Sequence, residues 1–229
     1  MDFMDINTIK QVIYSSINFL LKRELAPEMR NIGRIRSINV SGDFVRISSL
    51  ELCAFEIEKK GLKGNVAELG VYKGDFAKVI NRVFPNRILY LFDTFSGFDN
   101  RDIDFEKNNF YSSGNQNFSD TSENYVMSKM KYKDKCMIKK GYFPESAQGV
   151  EDEFVFVSID VDLFKPMMAG LEFFYERLVN GGYIFIHDFN NSEYKGVRKA
   201  VEVFCESKKI NYFPLSDGMG SAVIMKQTK

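Results

Sequence analysis

Four short segments of this chain carry residues whose types and spacing can do chemistry. The first is Glu68-Leu69-Gly70-Val71-Tyr72-Lys73-Gly74. Its glycines let the backbone turn sharply and let a ligand approach closely, and a helix after the turn offers free N–H groups. The second is Asp93, about 20 residues past the glycines, where an acid can accept hydrogen bonds from both hydroxyls of a ribose or merely cap its own turn. The third is Ile159-Asp160-Val161-Asp162-Leu163, in which two acids leave an apolar run. The fourth, Ile186-His187-Asp188-Phe189, holds the only histidine of the chain. Brought together, Asp160, His187 and Asp188 form either a metal set or an acid–base set.

The periodicity around these segments says what must position them. Asn65–Gly70, Arg87–Asp93, Cys136–Phe143, Phe154–Val161 and Tyr183–Asp188 read as strands. The run Arg87–Asp93 is nearly all apolar, as in a strand buried on both faces. Helical spacing falls between them, at Asp75–Phe84, Thr121–Tyr132, Pro166–Leu178 and Lys195–Ser207. Alternation of this kind predicts a doubly wound, mostly parallel sheet, because parallel strands need crossovers. Asn211–Leu215 and Ala222–Met225, joined by a short Gly-containing turn, predict an antiparallel hairpin at the C-terminal end. The expected fold is therefore α/β, with a single seven-stranded sheet closed by that hairpin. In such sheets ligands bind outside the carboxyl ends of the strands, where all four segments fall.

Upstream, Ile6–Leu25 has one apolar helical face and stops at Pro27; Arg34–Arg46 reads as a connection, and a second helix starts at Ser48 and closes at Gly61 and Gly64. Residues 1–63 are thus expected to form a helical extension that packs on the core or caps it, and 64–229 the main domain. The stretch from Thr94 to Asp120 is too long for a connector. It holds Phe98, Phe105, Phe110, Tyr111 and Phe118, and is expected to be a lid over the site.

Composition excludes several classes. The 229 residues are 45% hydrophobic and 27% charged, and 31 basic residues balance 31 acidic ones. A neutral chain has no large basic face, so nucleic acid is not an expected partner. Three scattered cysteines (Cys53, Cys136 and Cys205) give neither a disulfide framework nor zinc spacing, which points to a reducing, cytoplasmic setting. No stretch is long and apolar enough to span a membrane. The 22 phenylalanines and absent tryptophan read as nucleotide-composition bias.

Five segments together resemble the macrocin O-methyltransferase family of class I S-adenosylmethionine-dependent methyltransferases. They are Val66–Gly74, Phe92-Asp93-Thr94-Phe95-Ser96-Gly97-Phe98, Lys140–Ser146, Ser158–Phe164 and Gly181–Phe189, spread over Gly64 to Ala200. The resemblance implies a Rossmann-like methyltransferase fold and an O-methyltransferase acting on a sugar hydroxyl of a small molecule or glycan. By position, it implies that Glu68, Gly70, Tyr72 and Gly74 surround the methionine part and ribose of S-adenosylmethionine. It gives Asp93 the ribose hydroxyls. Phe95 and Ser96 would border the adenine, and Tyr142 and Phe143 would line the adenine side. Asp160 would lie beside the reactive methyl and, with His187 and Asp188, hold a divalent metal such as Mg²⁺. Amphipathic N-terminal helices lead us to expect a homo-oligomer.

The chain departs from the family at two places. The family usually has two consecutive aspartates where this chain has His187-Asp188, and a Ser/Thr pair near Pro166-Met167. Mg²⁺ prefers oxygen ligands, whereas imidazole suits Mn²⁺, Fe²⁺ and Zn²⁺. The metal differs, binds more weakly or is absent, and in its absence His187 is the natural general base. Two other readings stay open at this point: a nicotinamide-dependent oxidoreductase, disfavoured by the lack of G-x-G-x-x-G, and a non-catalytic cofactor-binding protein on a methyltransferase fold.

Overall fold

The computed structural model describes residues 43–227. The expected helix at Ile6–Leu25, and with it most of the predicted extension, lies outside the described residues. From Phe44 onward the predicted alternation is present. In order come α1 (Phe44–Lys59), β1 (Asn65–Leu69), α2 (Ala77–Val83), β2 (Leu89–Asp93), α3 (Asn100–Asn108), α4 (Glu123–Lys129) and β3 (Cys136–Lys140). Then follow β4 (Phe154–Ile159), α5 (Phe164–Arg177), β5 (Leu178–Ile186), α6 (Lys195–Lys208), β6 (Phe213–Pro214) and β7 (Ala222–Met225).

The seven strands lie in the order β3-β2-β1-β4-β5-β7-β6. The first five are parallel, and β7 runs antiparallel both to β5 and to β6. The order reverses between β1 and β4, and that reversal opens a crevice at their carboxyl ends. One face of the sheet packs on α5 and α6 through Leu171, Phe174, Val197 and Phe204. The other packs on α1, α2 and α4 through Leu50, Ile57, Ile80 and Val126. Strands β2 and β4 are mostly apolar on both sides because both sides are covered, whereas the edge strands β3 and β6 are not buried.

Several phenylalanines, ascribed to composition from sequence, are structural. Phe92 and Phe154 both meet Phe174, at 5.7 and 5.2 Å between centroids, and Phe92 meets Phe143 at 5.6 Å. Aromatic pairs add stabilisation beyond area burial.

Several boundaries differ from expectation, and three of them bear on the packing. Helix α1 starts at Phe44, not Ser48, because Asp43 caps it by accepting from Val45 N and Arg46 N. Gly181-Gly182 lie within β5 and not in the connection before it, since the pair exchanges ladder hydrogen bonds with Lys226. The 94–120 stretch contains helix α3 and is docked. Glu106, fully buried, accepts from Phe164 N at the start of α5, and Phe164 stacks on Phe105 and Tyr111.

Candidate functional site

A cavity of about 560 Å³ lies at the β1/β4 reversal, within the usual size of small-molecule sites. Its lining draws on the tips of β1, β2, β4 and β5, on the start of α1, and on the 94–120 segment. All four sequence segments reach it.

The rim formed by β1 and β2 is held by backbone groups. Gly70 has φ +84°, and a Cβ there would lie 1.9 Å from the Asp160 carbonyl oxygen, so only glycine fits between the two strand ends. Asp93 Oδ2 accepts from Val71 N and Tyr72 N, both at 2.7 Å, and its Oδ1 accepts from Phe95 N at 2.6 Å. The carboxylate therefore both caps its own turn and braces the glycine turn. A carboxylate has about four acceptor positions, and three are used. That leaves room for one ribose hydroxyl, not the two expected from the spacing.

Tyr72 and Lys73 are clamped from outside. The Tyr72 hydroxyl donates to Asp120 at 2.6 Å, Lys73 pairs with the same acid at 2.5 Å, and the Tyr72 ring meets Phe118 edge-on at 5.1 Å. Glu68 is 2% exposed and its Oε2 has no hydrogen-bond partner among the described residues. Burial pushes its carboxyl well above the ordinary range. An orphaned buried carboxyl oxygen on a cavity wall suits a cationic or hydrogen-donating ligand.

Three expected cofactor residues do not line the cavity. Phe95 turns inward and is 7% exposed in the core, Ser96 faces solvent, and Gly74 packs on Val126. Thr94, Gly97 and Phe98 take the places expected of Phe95 and Ser96. The reason is the left-handed backbone at Phe95 (φ +53°), which flips that ring out of the cavity wall. Tyr142 and Phe143 do line it, with the Tyr142 hydroxyl donating to Asp102 at 2.9 Å.

The rim formed by β4 and β5 is held by charge. Candidate ligand atoms of Asp160, His187 and Asp188 lie within 4.8 Å of one another, so the predicted convergence is present. His187 Nδ1 is 2.6 Å from Asp188 Oδ2 and 3.1 Å from Asp160 Oδ1. Asp160 Oδ2 accepts from Arg46 Nη1 at 3.1 Å, and Asp188 Oδ1 accepts from Asn191 Nδ2 at 2.7 Å. Burial works against charge here, but the opposite charges outweigh it. His187 is lifted to about 10 by Asp160 and Asp188, and Asp160 is held well below the carboxylate range by His187 and Arg46. Asp162 is pushed well above its ordinary value by burial and by Asp160 and Asp188.

These observations bear on the metal implied by the resemblance. An Nδ1 that carries a proton has no lone pair for a cation, and both Asp160 oxygens already face a positive side chain. The donor set is internally satisfied and does not fit a divalent ion as arranged. Arg46, Ser158, Asp162 and Asn191 are the site residues that sequence reasoning left without a role. Asp162 stood in a quoted motif, but Arg46 fell in a segment read as a connection, with no local signal.

The sequence profile of the macrocin-O-methyltransferase (TylF) family matches residues 37–224. No curated protein sequence matches significantly. Among solved structures, the O-methyltransferase NovP is similar at 16% identity and TM-score 0.63, over 80% of each chain. The calicheamicin methyltransferase CalS11 is similar at 15% identity and TM-score 0.64, over 98% of each chain. A methyltransferase of Podospora anserina, PaMTH1, solved with SAH, is similar at 12% identity and TM-score 0.51, over 100% of this chain and 99% of that one.

Proposed function

The chain belongs to the macrocin-O-methyltransferase family, and from that premise we propose that it methylates a sugar hydroxyl of a small molecule or glycan, with S-adenosylmethionine as donor. It is a methyltransferase enzyme, which sets aside the oxidoreductase and non-catalytic readings. The observation that carries the proposal is that Glu68, Asp93, Asp160 and His187 share one cavity at the strand-order reversal. A sugar acceptor is in keeping with CalS11, described as a TDP-rhamnose 3'-O-methyltransferase.

S-adenosylmethionine brings a methyl group on an electrophilic sulfonium, so transfer needs alignment and a deprotonated acceptor. Glu68 supplies the unpartnered carboxyl oxygen for the cationic end of the donor, and Asp93 the remaining acceptor position for a ribose hydroxyl. Asp160 and Asp188 hold His187 Nδ1–H, so that in its neutral form Nε2 takes the acceptor's proton as the oxygen–methyl bond forms and the sulfur keeps the electrons of the bond that breaks. The pair of carboxylates makes His187 a strong base, suited to a weakly acidic sugar hydroxyl.

The test is calorimetric titration with S-adenosylmethionine, followed by turnover with a panel of methyl glycosides and nucleoside-diphosphate sugars read by mass spectrometry. Donor binding and a methylated sugar are expected. Failure of the wild-type protein to bind the donor overturns the proposal.

A further inference from the structure

Arg46 occupies a position that local rules disfavour. It stands in the first turn of α1, where the helix dipole repels a cation, and it is 6% exposed. Burying a guanidinium is costly unless its partners are well placed, and here they come from separate elements. The guanidinium lies over the Phe76 ring at 3.8 Å from its centroid. Nη1 donates to Asp160 Oδ2 at 3.1 Å, and Nη2 donates to Ser158 Oγ at 2.9 Å. Ser158 is fully buried, a single hydroxyl among the otherwise apolar residues of β4.

We propose that Arg46 is a positioning residue that supplies, as part of the protein, the fixed positive charge that a divalent metal would otherwise bring to Asp160, so that the site works without metal. The inference rests on the reading of this cavity as the methyl-transfer site. Asp160 is bracketed, with Arg46 on Oδ2 and His187 on Oδ1. A divalent ion seated among Asp160, His187 and Asp188 would meet the guanidinium across one carboxylate, with little water between to screen the repulsion. Through Asp160, Arg46 also fixes the direction from which His187 is held. It acts on the base without touching the proton.

Metal-stripped protein titrated with Mn²⁺ alone, followed by electron paramagnetic resonance, tests this with and without saturating S-adenosylmethionine. Wild type is expected to bind no Mn²⁺ saturably at millimolar concentration. Arg46→Met removes the charge, frees Asp160 Oδ2, and is expected to gain a saturable Mn²⁺ site at least about tenfold tighter than any wild-type binding, a difference of ~1.4 kcal/mol. Arg46→Lys keeps the charge and is expected to stay blind to Mn²⁺. A merely structural arginine would not create a metal site on removal.

Mn²⁺ binding by wild type as tight as that of Arg46→Met overturns the proposal. So does a folded Arg46→Met protein that gains no site. If Arg46→Met does not fold, saturable Mn²⁺ binding by wild type or by Arg46→Lys still overturns it, and its absence in both supports it. Donor titration of the wild type runs in parallel: its failure sinks the methyl-transfer reading, whereas the Mn²⁺ result judges Arg46 alone.

Discussion

The two rims of the cavity are built by opposite means. On the β1–β2 rim, backbone N–H groups converge on one carboxylate, Asp93, and a glycine lets two strand ends touch. On the β4–β5 rim, side chains of alternating charge hold one another: Arg46, Asp160, His187 and Asp188. Backbone geometry is rigid and tolerates little change of shape. A charge network that includes a histidine can take up or release a proton, which suits the role proposed for this rim. On the proposed reading, a donor site and a reaction site share a wall while depending on different forces.

The sharpest break of the comparison is His187→Gln. It keeps a polar group of similar reach but removes the base, and turnover should fall roughly 100- to 10,000-fold, with donor affinity nearly unchanged by calorimetry. Because His187 is raised to about 10, its neutral form grows about tenfold per pH unit below that value. Wild-type kcat should climb with pH and level near there, and the variant should lack the climb. The linked stability has the same origin. A raised value means that the ion pairs stabilise fully below the unfolded value of about 6.5 and that this contribution is lost as pH passes about 10. If kcat is instead flat with pH, His187 is not the base.

Next in size is Gly70→Ala, which tests the backbone rim. A Cβ at φ +84° directed at the Asp160 carbonyl should cost about 3 kcal/mol or more in stability, read as a fall in thermal midpoint. An unchanged midpoint would mean that the strand ends can part. Asp93→Ala comes third: it leaves three backbone N–H groups without their partner and should cost ~1–3 kcal/mol while weakening donor binding. That loss should appear in donor affinity before kcat, the reverse of His187→Gln. Smallest is Tyr72→Phe. It removes one exposed hydrogen bond to Asp120, and should cost no more than about 1 kcal/mol with kcat unchanged. A large drop in kcat there would erase the distinction between the rims.

How much of this was readable from sequence varied with the length scale of the cause. The tips of β2 and β7 were placed well because period and apolar runs are local: Ala222–Met225 agrees to the residue, and Asp93 ends its strand, whereas the strands expected to reach Phe143, Val161 and Asp188 stop at Lys140, Ile159 and Ile186. The start of α1 was missed because its cap, Asp43, precedes a run that carries no strong apolar period. Phe95 was assigned to the cavity from its place beside Asp93, but a left-handed φ points it into the core. The docking of 94–120 depends on Glu106 reaching the start of α5, 58 residues away in sequence.

By itself the sequence determined the alternation of strands and helices, the closing hairpin, and the collection of acids at the carboxyl ends of the strands, since each follows from short-range periodicity and chain connectivity. Only the tertiary structure decided which of those acids are paired, which are pushed above their ordinary range by burial, and that His187 is held by two carboxylates. It also brought in Arg46, 114 residues from Asp160 in sequence. Charge state depends on burial and on neighbours across space, and no spacing along the chain encodes either.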